Sequence, residues 1–181
     1  MTQPSRLSPF ERSDSSHVLS MLPAETGRDF SAAGAYAGCR LMTIPYVACM
    51  IAVAAFNHLP PRVLPSIQAV EGGSIGSIHR NLDGSDDLGV MQVNTRWLPS
   101  LARYTGLREE VVRFRLIDSP CFSIAAAGAI LRVYLDETRG DLMQAIGDYH
   151  SHTPMLNQAY QAQVMRSAFR LFVNPAPESR P

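Results

Sequence analysis

Residues 60–97 read PPRVLPSIQAVEGGSIGSIHRNLDGSDDLGVMQVNTRW. In the first part Leu64, Ile67 and Val70 recur at helical spacing, and the pattern stops at Gly72-Gly73. From Ser74 to Asn94 helical periodicity lapses. Gly76, Gly84 and Gly89, among Asn81, Asp83, Ser85, Asp86 and Asp87, predict turns around one or two very short strands. A helix that ends in glycine and runs into a turn-rich loop sets the fold class, because the flanking sequence is helical on both sides.

Downstream, RWLPSLARY and REEVVRF carry helical signal. Ser119-Pro120 marks a helix start, with Ser as N-cap and Pro where a missing N–H costs nothing. The helix it opens, CFSIAAAGAILRVYLDET, is long and apolar enough to be largely buried. Asp141 is placed to cap LMQAIGDYH, and a last helix runs from Pro154 to Phe172. The expectation is a mostly α, α+β domain over residues 41–173, with a small β/turn region between helices. Residues 1–40 mix Ser, Pro and Gly with scattered charge and lack apolar periodicity, which predicts a poorly ordered arm or a leader. Residues 174–181 read as a disordered tail.

Composition narrows the function. The 181 residues hold 46% apolar and 18% charged side chains, and sixteen Lys+Arg balance sixteen Asp+Glu. A chain with no surplus of cations is a poor partner for nucleic acid, whose phosphates must be neutralised. Three cysteines, Cys39, Cys49 and Cys121, are too dispersed for a zinc ribbon or a redox CxxC pair. A calcium loop fails for want of an acidic ligand at its last position. Neither a metal nor an organic cofactor is expected. The uncharged stretch Leu41–Phe56 contains Pro45 and falls short of the roughly 20 residues a bilayer span needs. It reads either as the apolar region of a leader starting at an internal Met such as Met42, with cleavage at Ala52-Val53-Ala54, or as a buried Ala-rich helix over Ala48–Asn57.

The chemistry concentrates on carboxylates. Glu71 stands in the last turn of its helix, where the negative end of the macrodipole and an apolar helix face both disfavour its charged form. That raises its pKa toward the range of a general acid. Asp87 follows in a loop long enough to return across a cleft. Paired carboxylates are the machinery of glycoside cleavage, one donating a proton and the other handling oxocarbenium-like charge. Asp83 and Asp86 read as turn residues that bond their own backbone.

The run from Asn81 to Trp97, with Glu71 before it, resembles the active-site segment of the lysozyme superfamily. Its Gly89-Val90-Met91-Gln92-Val93-Asn94 core is similar to a signature of soluble lytic transglycosylases, above all the small accessory enzymes of type III and type IV secretion systems, conjugation machines and type IV pili. The likeness extends from Cys49 to about Met165. It includes Pro60-Pro61, Asp118-Ser119-Pro120-Cys121 and Ala145-Ile146-Gly147-Asp148-Tyr149. It implies a lysozyme-like fold in which Glu71 is the catalytic acid and base. Gln92 would bond the sugar, with Gly89 and Met91 shaping the floor of the substrate cleft beside it. Asp87, also on the substrate side, would match the second acid of animal-type lysozymes, and the Tyr149 hydroxyl would approach the catalytic carboxyl. The family's Asn after that tyrosine is replaced here by His150, followed by Ser151 and His152.

The resemblance further implies a Cys49–Cys121 disulfide, the alternative being two buried free thiols, with Cys39 unpaired. A disulfide requires an oxidising compartment, so the protein would be periplasmic or exported. It also argues against cleavage after Ala54, which would discard Cys49. The implied activity is cleavage of the β-1,4 bond between N-acetylmuramic acid and N-acetylglucosamine with a 1,6-anhydro product, by a monomer whose partners are peptidoglycan strands and secretion or pilus components. Two alternatives stay open: a hydrolysing muramidase using Glu71 and Asp87, and a non-catalytic wall-binding assembly protein.

Overall fold

The computed structural model describes residues 44–174. The N-terminal arm, Cys39 and all but the first residue of the expected tail lie outside the described residues. Seven α-helices and one small sheet follow in the order α1 (Val47–Phe56), α2 (Val63–Glu71), β1 (Ile78–Arg80), β2 (Asp86–Leu88), β3 (Val93–Asn94), a 3-10 turn (Thr95–Trp97), α3 (Leu98–Thr105), α4 (Glu109–Asp118), α5 (Pro120–Glu137), α6 (Leu142–His150) and α7 (Pro154–Phe172). The class is α+β, mostly α, as expected.

Helix α5 runs through the middle. Ile124, Ile130 and Leu131 on it are buried against Leu64 and Ile67 of α2, Leu101 of α3, Leu116 of α4 and Ala145 of α6, all in one core. Pro120 occupies the first turn, and Ser119 takes the extended N-cap conformation. Its side chain makes no capping bond, so the expected Ser cap is one of position alone. Asp141 does cap α6: its carboxylate accepts the Gln144 backbone N–H at 3.0 Å. No single helix among the described residues is long and apolar enough to cross a membrane.

Helix α1 forms where the Ala-rich segment predicted it, yet it is buried on one side only. Met50 and Ala54 enter the core, whereas Val47, Ile51 and Phe56 are exposed. An apolar segment without a polar stripe gives no sequence clue to which face turns inward. Cys49 on α1 and Cys121 at the start of α5 form a disulfide with Cα atoms 5.5 Å apart.

The turn-rich region holds three strands where one or two were expected, ordered β1-β2-β3 and antiparallel throughout. The register pairs His79 with Asp87 and Asp87 with Asn94. Strand β2 thereby presents alternate acids to opposite faces. Asp86 points inward and is 7% exposed. It is not the turn residue its neighbours suggested. Arg80 Nε lies 2.8 Å from one carboxylate oxygen and Arg113 Nη2 3.0 Å from the other, tying the sheet to α4. A buried carboxylate is tolerated only with such partners. Asp83 keeps the expected role, accepting the Ser85 backbone N–H at 2.9 Å.

Candidate active site

Helix α2 stops because Gly72 takes a φ of +64°, a left-handed conformation that costs glycine nothing. Glu71, the last helical residue, is thus delivered at the rim of a groove of about 620 Å³. Asp87 from β2, Gln92 from the loop before β3, Trp97, Tyr134 of α5, and Tyr149, His150 and His152 at the end of α6 line the same groove. The two carboxylates identified in the sequence therefore meet across one concave surface.

Their environments differ. Burial pushes the Glu71 carboxyl from its ordinary 4.5 up to about 7, a hydrogen bond from Tyr160 opposes that rise, and the charge of Asp87 adds to it. Asp87 is held by two amides: Asn81 Nδ2 donates to Oδ2 at 2.9 Å and Asn94 Nδ2 to Oδ1 at 2.7 Å. The cross-strand pairing of Asp87 with Asn94 makes the second of these bonds automatic. The site therefore combines a carboxyl that binds a proton near neutrality with a neighbouring carboxylate fixed by uncharged donors. That is the pairing required to protonate a leaving oxygen beside a developing positive charge.

Gln92 has a φ of +48°, uncommon for a residue with a side chain. Its Nε2 donates to the Gly89 carbonyl at 2.8 Å and to Ser77 Oγ at 3.1 Å. The amide nitrogen is thereby spent on the protein, and Oε1 is the atom offered to a ligand. Gly89 and Met91, expected to shape the floor beside Gln92, are not among the residues that line the groove and stand behind its wall. The Met91 side chain is 0% exposed in the core. Gly89 has a φ of +65°, and a Cβ there would lie 1.9 Å from the Leu116 carbonyl oxygen. Both support the loop that carries Gln92. Read without the resemblance, Met91 is a core residue, and the fold buries it.

The phenol on Glu71 is also not the expected one. Tyr149 lines the groove, but its hydroxyl donates to the Met91 carbonyl at 3.0 Å. Tyr160, on α7, donates to Glu71 Oε1 at 2.5 Å. Burial raises its own proton affinity far above the ordinary phenol value, so it acts as a donor throughout the accessible pH range. Sequence reasoning missed this residue. The signal was present: Asn157, Tyr160, Val164 and Ser167 form the inward stripe of α7 at helical spacing.

In the groove lining, Trp97 and Tyr134 meet edge to face at 5.6 Å, and Tyr134 meets His152 at 5.3 Å. His152 Nδ1 lies 3.1 Å from Asp148 Oδ1, which also accepts from Asn157 Nδ2 at 2.8 Å. The His150 ring lies flat on Tyr160, centroids 4.8 Å apart and planes 3° from parallel. Among the described residues no group of three or more His, Cys, Asp or Glu is placed to hold a metal ion.

No family model matches the chain. It is similar to Protein IpgF of Shigella flexneri, with 27% identity over 124 residues that cover 68% of this chain and 78% of that protein. Protein IpgF of Shigella sonnei is also 27% identical, over 144 residues covering 77% of this chain and 91% of that protein.

Proposed function

We propose that the chain is a glycan-cleaving enzyme of the bacterial wall that works by carboxyl acid–base catalysis. Within that class the reading is a peptidoglycan lytic transglycosylase with a lysozyme-like fold. The observation that carries it is Glu71, buried enough to hold a proton at about neutral pH, in the same groove as Asp87. Glu71 protonates the oxygen linking N-acetylmuramic acid to N-acetylglucosamine. The same carboxylate then takes the proton of the muramyl 6-hydroxyl, which attacks the anomeric carbon and closes a 1,6-anhydro ring. Tyr160 occupies Oε1 and leaves Oε2 to carry the transferred proton. Gln92 Oε1 accepts from the sugar.

A hydrolysing muramidase remains the second reading, favoured by the pinning of Asp87 between Asn81 and Asn94. A fixed carboxylate beside the sugar is what a retaining hydrolase uses. The resemblance of the Asn81–Trp97 segment to secretion-associated enzymes, together with the likeness to the IpgF proteins of two Shigella species, supports an accessory role in opening the wall for a secretion or pilus apparatus. The Cys49–Cys121 disulfide supports a periplasmic or exported location, since thiols stay reduced in the cytosol.

The test is digestion of purified murein followed by mass analysis of the fragments. Anhydro ends one water lighter than reducing ends are expected; reducing ends alone transfer the assignment to the hydrolase. Failure of the intact protein to cleave murein at all leaves a wall-binding assembly protein. Cleavage that survives Glu71→Gln removes Glu71 as the acid.

A further inference from the structure

We propose that His150 is a positioning residue for Glu71, acting through Tyr160; this rests on the reading of Glu71 as the acid. The chain of contacts is short. Tyr160 reaches Glu71 from α7 through one hydrogen bond, 2.5 Å long. A phenol hydroxyl leaves such a bond when the ring swings normal to its own plane, because spinning about the ring axis does not move the oxygen. The His150 imidazole is stacked on that ring, with centroids 4.8 Å apart and planes within 3° of parallel. It blocks the swing on the groove side.

His150 also screens the bond. It lines the groove, whereas Tyr160 is only 3% exposed. A flat ring between the two keeps groove water from competing for the phenol O–H. The remaining titratable groups coupled to this pair are Asp87 from β2, held by Asn81 and Asn94, and Tyr149 from α6, whose hydroxyl donates to the Met91 carbonyl. Asp87 raises the proton affinity of Glu71 and Tyr160 lowers it. His150 therefore selects how much of the Tyr160 contribution the acid receives.

The experiment is a double-mutant cycle read by carbon-13 NMR titration of the Glu71 carboxyl in the full chain, with His150→Ala, Tyr160→Phe and the pair. Loss of the Tyr160 bond strengthens proton binding by Glu71. His150→Ala should therefore move the Glu71 midpoint upward by more than about half a pH unit, and by nothing measurable in the Tyr160→Phe background. His150→Phe keeps a flat ring and should restore the wild-type midpoint. An equal shift in both backgrounds, a downward shift, or no shift overturns the proposal. The readout needs no turnover, so an enzyme reading that fails on murein leaves this coupling separately decided. Where murein is cleaved, His150→Ala should lower kcat several-fold with KM unchanged, and a change in KM alone counts against the idea.

Discussion

Glu71→Gln should stabilise the protein while abolishing cleavage, and the gain should grow with pH. A carboxyl moved from 4.5 to about 7 has lost roughly 3 kcal/mol of preference for its charged form, at about 1.4 kcal/mol per pH unit. In the unfolded chain Glu71 ionises at its ordinary value, so the folded state binds the proton more tightly. The stability contributed by that proton is fully present below the unfolded pKa of 4.5 and is lost as pH rises through about 7. Glutamine is neutral at every pH and still accepts from Tyr160 through its Oε1. Urea unfolding of both proteins at about pH 5 and about pH 9 isolates the effect, since every other group titrates alike in the two. The advantage of the Gln variant should widen by about 2–3 kcal/mol between those conditions. A gap that stays flat with pH would falsify the argument, because it would mean that Glu71 is solvated like any surface acid.

Asp87→Asn keeps one carbonyl oxygen for Asn81 or Asn94 but turns its own NH2 on the other amide, so it should cost about 1–2 kcal/mol in urea unfolding and lower murein cleavage by at least about tenfold; unaltered cleavage would remove Asp87 from the chemistry. Replacing both disulfide cysteines with Cys49→Ser and Cys121→Ser opens a loop of 72 residues. The cost should be about 4 kcal/mol in denaturant unfolding, and dithiothreitol should reproduce it on the wild type. Gly89→Ala asks a side chain to enter both a left-handed conformation and the Leu116 carbonyl. A loss of more than about 2 kcal/mol is expected, seen as a lower melting temperature, with Gln92 displaced from the groove.

Local patterns in this chain reach as far as the backbone does. Gly72-Gly73 after an apolar stripe ends α2, Pro120 opens α5, Asp141 caps α6 and Pro154 begins α7, each through an interaction spanning a few residues. Glu71 and Asp87 could be singled out for the same reason, since a helix end and a tight loop constrain where their side chains go. The disulfide was accessible only through the likeness to a known family, because spacing alone does not say which cysteines approach.

Tertiary packing decided the rest. Which face of the apolar helix α1 is covered, whether Asp86 lies in a turn or between two arginines, and which tyrosine meets Glu71 all depend on elements distant in the chain. Tyr149 and Tyr160 are equally plausible as letters. Only the docking of α7 against α2 brings the second phenol to the carboxyl and leaves the first to the Met91 carbonyl. The proton affinity of Glu71 is likewise a property of what surrounds it. Its type and place come from the sequence, but the removal of water that raises it exists only in the folded protein.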